Sequence, residues 1–322
     1  MRNFDKLKRS HDKFQHHFMH RFDDLDVRIF KELSSPSSLQ WNVRETYSNI
    51  ARRIGDDEET VRRRVKRAEK LGSVPGWRMM VNPHVIGCEA ASVDLEVEDE
   101  EKKEKAVAEI SRIDGTIKIL DFRGRGLQVT LYYPSDDALR RKVELLKSIC
   151  YSSEEPTVWK LDFPRSDVRL TTTDWKIIQT MLEDARKSLE TVSRSIKVSV
   201  RTVSRRLRYL IEKCAVYLQG TPNFRNFIGL SCVFLVFNPD DEKKKVDDDL
   251  IISKVPRIEI FNTSSKQHST FVTMFDNLSE ADEFAKWIRS LDGVKSVKMG
   301  IMKELIVVQD WLRDEIGKRL SG

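Results

Sequence analysis

The 322-residue chain is 39% hydrophobic and 34% charged, and its 57 basic and 51 acidic residues leave a formal net charge of +6. Two or three domains with their own cores fit that length, while so modest a basic excess admits a polyanionic partner without requiring one. The longest apolar runs fall short of the ~20 residues of a membrane span, and the opening MRNFDKLKRSHDKF lacks the apolar stretch of a secretory signal.

Four scattered cysteines, Cys88, Cys150, Cys214 and Cys232, stand at no metal-ligand spacing. They read as buried thiols of a reducing compartment, so a cytoplasmic chain is expected. Residues 1–22 set Phe14, Phe18 and Phe22 at helical spacing and read as an N-terminal helix. His16 and His20, four apart, have a spacing that can hold a transition metal, but they form the polar face opposite those rings, and no metal is expected.

Residues 23–82 read as a winged helix-turn-helix. A first helix carries Leu25, Ile29 and Leu33, a Ser/Pro-rich loop follows, and a short second helix carries Ile50 and Ile54. A third helix has Val61, Val65 and Ala68 as its core stripe, and Gly72 ends it. Around Pro75-Gly76 the segments SV and WRMMV read as a wing hairpin, from which Arg78 either reaches DNA or packs on the core.

Residues 83–165 change period. CEAASVDLEV is strand-like, EEKKEKAVAEISRI helical, TIKILDF and LQVTLYY strands, DDALRRKVELLKSI a helix and TVWKLDF a strand. A polar, proline-bearing stretch around 152–172 divides the halves. Residues 166–222 form a second helix-turn-helix, with Trp175, Ile178 and Leu182, then Val192 and Ile196, then Val203, Leu207 and Leu210. Residues 223–303 give LSCVFLVF, a charged helix near 240–253, RIEIF, TFVTMF, the helix EADEFAKWIRSL and VKSVKMGIM. Residues 304–322 are expected to close the chain as a helix with Leu305, Val308, Leu312 and Ile316 inward.

The fold class that follows is α+β, in two tandem units. Each is a winged helix-turn-helix followed by a ferredoxin-like βαββαβ domain, and the sheets of the two halves are expected to pack together.

The halves repeat in sequence as well as in pattern. Residues 50–74 align with 192–216 without a gap, and seven of the 25 positions are identical, where about one or two are expected by chance. The same offset aligns Ile86-Gly87 with Ile228-Gly229, and Asp26 matches Asp174 once a longer loop in the first copy is allowed.

With Val61 turned to the core, Glu59, Arg62, Arg63, Lys66 and Arg67 face outward and Arg64 lies on the flank. In the second copy Arg201, Ser204, Arg205, Arg208 and Tyr209 face outward, with Arg206 flanking. A helix roughly 10–12 Å across fits the major groove of B-DNA, and the planar fork of arginine can grip guanine or phosphate. Thr60, Thr202 and Ser199 open the helices, where they can cap or bond phosphate. The candidate DNA-binding set is therefore Thr60, Arg62, Arg63, Lys66, Arg67, Arg78, Ser199, Arg201, Thr202, Ser204, Arg205 and Arg208. Four acids, Asp56 to Glu59, stand at the entry to the first recognition helix, where they repel phosphate, so the second unit is expected to contact DNA more strongly. An Arg-rich face can equally be solvated surface or dock on an acidic protein. RGRG at 123–126 precedes a strand, so it is not a dinucleotide fingerprint.

The segments DVRIFKEL, IARRIG, TVRRRVKRAEKLGSVPGW and VNPHVIG resemble the N-terminal signature of the Lrp/AsnC regulators, over residues 24–87 and more weakly beyond. The resemblance implies a winged helix-turn-helix joined to a ferredoxin-like (RAM/ACT-like) domain, acting on double-stranded DNA as a sequence-specific transcription regulator. It also implies a homodimer surface on the ferredoxin-like sheets. Members usually carry one unit per chain; this chain looks like a fused pseudo-dimer, a tandem form similar to archaeal relatives. Family effector sites use a glycine-rich turn with an aspartate, where this sequence has FRGRGLQ, without the acid, and NTSSKQHS, a departure that makes a small-molecule effector of the amino-acid kind doubtful. Siroheme decarboxylases share the family, but no His-Asn-Tyr or Asn-x-Trp-Phe stretch is present and only His268 lies in the middle-strand region. No catalytic residue, cofactor or membrane association is expected.

Overall fold

A computed structural model describes residues 22–34, 40–255 and 262–321. The expected N-terminal helix, with its histidine pair and Phe14 and Phe18, lies outside the described residues, as does the expected strand RIEIF.

The first unit opens with α1 (Asp24–Leu33), α2 (Tyr47–Ile54) and α3 (Glu58–Lys70). Ile29, Leu33, Ile50, Val61, Val65 and Ala68, the apolar members of each period, are buried together. Strand β1 (Gly76–Val81) leads into β2 (Glu89–Glu96), α4 (Lys103–Ile110), β3 (Thr116–Phe122), β4 (Gly126–Tyr133), α5 (Asp136–Cys150) and β5 (Thr157–Leu161). The second unit repeats the order: α6 (Thr172–Met181), α7 (Leu189–Ile196), α8 (Val200–Glu212), β6 (Val216–Thr221), β7 (Leu230–Phe237), α9 (Asp241–Lys254), β8 (Asn262–Ser264), β9 (His268–Phe275), α10 (Leu278–Arg289) and β10 (Ser296–Val307). Helix α11 (Asp310–Ser321) packs on α6.

The duplication extends to backbone detail. At positions 142 apart, Gly55 and Lys197 both take left-handed φ, 68° and 56°, to end α2 and α7. Gly72 and Cys214 do the same after α3 and α8, at 68° and 52°. Asp57 and Ser199 are equivalent N-caps, as are Thr46 and Ser188.

Strand β1 lies where the wing was expected, but Ser73-Val74 is not its partner. It pairs antiparallel with β6, its counterpart in the other repeat, from Gly76↔Thr221 to Val81↔Val216. Equivalent strands exchanging partners in this way define a local pseudo-two-fold axis through the ribbon, at Trp77-Arg78 opposite Gln219-Gly220.

The remaining strands form one sheet in the order β5-β2-β4-β3-β10-β7-β9-β8, two ferredoxin-like sheets joined edge to edge. Strand β10 makes the joint: Ser296 to Ile301 pair with β7, then, past an irregularity at Met302/Glu304, the strand runs along β3 to Val307. Flat, such a sheet would hold β5 and β9 roughly 29 Å apart. Yet Trp159 of β5 stacks on His268 of β9 at 5.3 Å, and Lys298 of β10 reaches Asp94 of β2 at 2.7 Å. The sheet therefore folds over on itself, so the two halves face each other as expected. Alternation fits: Ala91, Val93 and Leu95 pack under α4 and α5, and Cys232, Phe234 and Val236 under α9 and α10.

One boundary moves. The closing helix begins at Asp310 rather than 304, because Glu304 to Val307 belong to β10 and Leu305 is a strand residue. Val308, Leu312 and Ile316 are buried. All four cysteines are free thiols, and burial pushes Cys150 and Cys232 up to about 11 and about 12.

Candidate nucleic-acid interface

Each recognition helix is locked to the first helix of its unit by an arginine on its flank. Arg206 of α8 grips Asp174 of α6 with two nitrogens, Nε to Oδ1 at 2.7 Å and Nη2 to Oδ2 at 2.6 Å. Burial alone would raise the Asp174 pKa, but hydrogen bonds from Arg206 and Thr171 outweigh it and hold the carboxyl below its usual value. In the first unit Arg64 of α3 donates to Asp23 and, at 3.3 Å, to Asp26. Asp26 and Asp174 are both fully buried, each at the third position of its helix in a capping box. These arginines set the helix in place and leave the outward positions to others.

On α8 those outward positions are cationic. Arg201, Arg205 and Arg208 are exposed, Ser204 is half-buried between them, and no ion pair to the three arginines is formed among the described residues. On α3 Arg63, Lys66 and Arg67 are exposed. Arg62 differs: it pairs with Glu58 and, at 2.8 Å, with Glu59, and lies 5.9 Å from the Tyr47 ring. The acids in the first turn of α3 thus neutralise the first outward arginine, while their counterparts at α8, Val200 and Arg201, add no negative charge.

Thr60 and Thr202 do not cap. Their amides are capped by Asp57 (2.8 Å) and Ser199 (3.1 Å), and both threonines are half-buried. Ser199 is exposed, its hydroxyl 2.9 Å from that of Thr202. Arg78 does not join the set: it sits on the ribbon, and its Nη1 donates to the Glu183 carbonyl at 2.7 Å. The β1–β6 pairing that replaces a free wing turns Arg78 toward the other repeat.

Two features escaped the reading of the outward faces. Arg52 and Arg194 are identical across the repeats and both exposed on the last turn of the second helix, where packing gives no reason for the identity. More consequential are Arg44 and Arg186, also 142 apart. Arg44 donates to the carbonyls of Ala185 and Lys187 at 2.8 and 3.0 Å, and Arg186 donates to the Val43 carbonyl and the Tyr47 hydroxyl, both at 2.8 Å. Val43 and Ala185 are themselves equivalent, so each unit holds the other by the same contact, the signature of an isologous interface. Arg186 also lies 4.2 Å over the Trp77 ring, whose indole N–H donates to Glu69 at 2.8 Å. Extending the gap-free alignment upstream of residue 50 would have exposed this pair.

Comparison with known proteins gives four findings. A winged helix-turn-helix DNA-binding family matches residues 170–213. Over 95 residues the chain is 37% identical to an uncharacterised HTH-type transcriptional regulator of Pyrococcus furiosus, covering 29% of this chain and 60% of that protein. Over 102 residues it is 26% identical to the HTH-type transcriptional regulator Ptr1 of Methanocaldococcus jannaschii, covering 32% of this chain and 65% of that protein. The chain thus spans less than two thirds of either relative. Among solved structures, the siroheme decarboxylase NirDL matches 92% of this chain and 99% of its own at a TM-score of 0.53 and 15% identity, a likeness of fold.

Proposed function

From the premise that this chain is a duplicated Lrp/AsnC-type fold, a winged helix-turn-helix with a ferredoxin-like domain twice over, we propose that it is a sequence-specific regulator of transcription and not an enzyme. It binds double-stranded DNA through both recognition helices. The observation that carries this reading is the row of exposed arginines at 201, 205 and 208, which form no ion pair among the described residues, on a helix whose opposite face, Val203, Leu207 and Leu210, is buried. Arg63, Lys66 and Arg67 form the weaker counterpart, and Arg52 and Arg194 suit phosphate contacts beside them. A local two-fold axis places equivalent surfaces at equal height along it, and on this reading one duplex crossing that axis meets both helices. Because α3 and α8 differ in outward side chains, the site is asymmetric. The two relatives named as transcriptional regulators agree with this reading.

The test is anisotropy titration of a selected duplex across a salt series. With about four phosphates neutralised per unit, log K falls with log salt at a slope near −7. Arg205→Ala weakens specific binding by about 1–3 kcal/mol and spares non-specific binding. A flat salt response with retained folding would replace DNA by an acidic protein partner.

A further inference from the structure

The first residue of α8 is apolar where packing does not ask for it. Among the described residues, Val200 is the one large apolar side chain exposed in either helix-turn-helix unit, at 37%. It follows directly on the N-cap Ser199. A helix entry is steadied by an apolar residue just before the cap, packed against one at the fourth helical position. Val198 stands there, half-buried against the core that holds Val203. A branched side chain at the first position adds no helix propensity, and the other copy has Glu58 at the equivalent place.

The surroundings of Val200 are those of a base-reading helix end. A recognition helix presents its N-terminal residues to base edges. Val200 and Ser204, four apart, share one row of α8, and the exposed Arg201 and Arg205 form the row beside it. On the cap side the exposed Ser199 has its hydroxyl 2.9 Å from that of Thr202. In the major groove one base carries an apolar group, the 5-methyl of thymine, which stands beside the O4 acceptor. An aliphatic side chain flanked by hydrogen-bond donors complements that edge. The polar edges of the other bases would be desolvated against it without a partner.

Resting on the DNA-binding reading above, we propose that Val200 is a specificity-determining residue, packing on the 5-methyl group of a thymine in the half-site met by α8. Glu58 gives the first unit no such contact, so this thymine belongs to one half of the asymmetric site.

The test uses the full chain and the duplex it selects from a random pool. Each thymine is replaced singly by deoxyuridine, which lacks only the methyl group, and affinity is read by anisotropy for the parent and for Val200→Ala. One replacement is expected to weaken the parent about fourfold, the worth of one buried carbon, and to leave the affinity of Val200→Ala unchanged. The variant itself should bind the thymine duplex severalfold more weakly, with the same slope against log salt, because no charge is removed. Its melting temperature should not fall, since the side chain is exposed. If no replacement weakens the parent, or if every loss is equal in parent and variant, the assignment is overturned while DNA binding stands. Failure of the chain to bind any duplex would instead overturn the regulatory reading, and this assignment with it.

Discussion

Replacing Arg206 by Met would test whether the recognition helix is held by charge. Met keeps much of the stem packing but removes both nitrogens that bind Asp174. The carboxylate is fully buried and keeps only its Thr171 bonds, both to Oδ2, so Oδ1 loses its arginine partner. Breaking a buried pair from one side costs about 3–5 kcal/mol. Because the Arg206 side chain is 23% exposed, the lower end, about 3 kcal/mol, is expected. At about 2–4 °C per kcal/mol, that is a fall in Tm of roughly 6–12 °C by far-UV circular dichroism. The pH dependence has a definite sign. In the native chain the Asp174 pKa is depressed, so its contribution is complete above its unfolded value near 3.8 and is lost as pH falls through the lower folded value. In the variant burial prevails and the folded pKa rises above the unfolded one, so the penalty is largest at neutral pH and shrinks on acidification toward 4. Asp174→Asn added to Arg206→Met should recover a large part of the loss. A loss below about 1 kcal/mol, or equal losses in single and double variants, would refute the argument.

Three further outcomes follow from the same contacts. Arg186→Ala should destabilise by about 2–3 kcal/mol, and Arg44→Ala by about 1–2, since only Arg186 adds the Trp77 stack; equal losses by urea denaturation would dismiss the stack. Lys197→Gly and Cys214→Gly relieve left-handed backbone at sites where the first copy has glycine, and each should stabilise by about 0.5–1 kcal/mol; unchanged melting would mean no strain is stored there. Glu58→Ala with Glu59→Ala frees Arg62, so DNA binding should tighten several-fold and the salt slope steepen by about one, and unchanged anisotropy curves would leave Arg62 outside the interface.

What the sequence disclosed was whatever depends on near neighbours. The spacing of Ile29 and Leu33, the stripe Val203-Leu207-Leu210 and the stop at Gly72 each report a local preference, and the repeat fixed the order of elements. Pairings across long separations were hidden. Strand β1 reads as half of a hairpin because Pro75-Gly76 resembles a turn, whereas its partner lies in the other repeat. The end of β10 reads as helix because Leu305, Val308, Leu312 and Ile316 keep helical spacing across a strand and the helix after it. In the candidate interface the outward face could be drawn from a helical wheel. Arg62 could not be discounted that way, since its neutralisation depends on rotamers, and Arg78 depends on a partner more than a hundred residues away.

Strand β10 carries a consequence for how the molecule comes into being. Translation releases β3 about 180 residues before β10, yet β3 has no outer neighbour until β10 arrives. Through that interval the first ferredoxin-like half exposes a row of bare amides and carbonyls, a template on which a neighbouring nascent chain could pair. Finishing the second half is therefore what seals the first, and a chain cut short after residue 295 would carry a sticky edge rather than a smaller working unit.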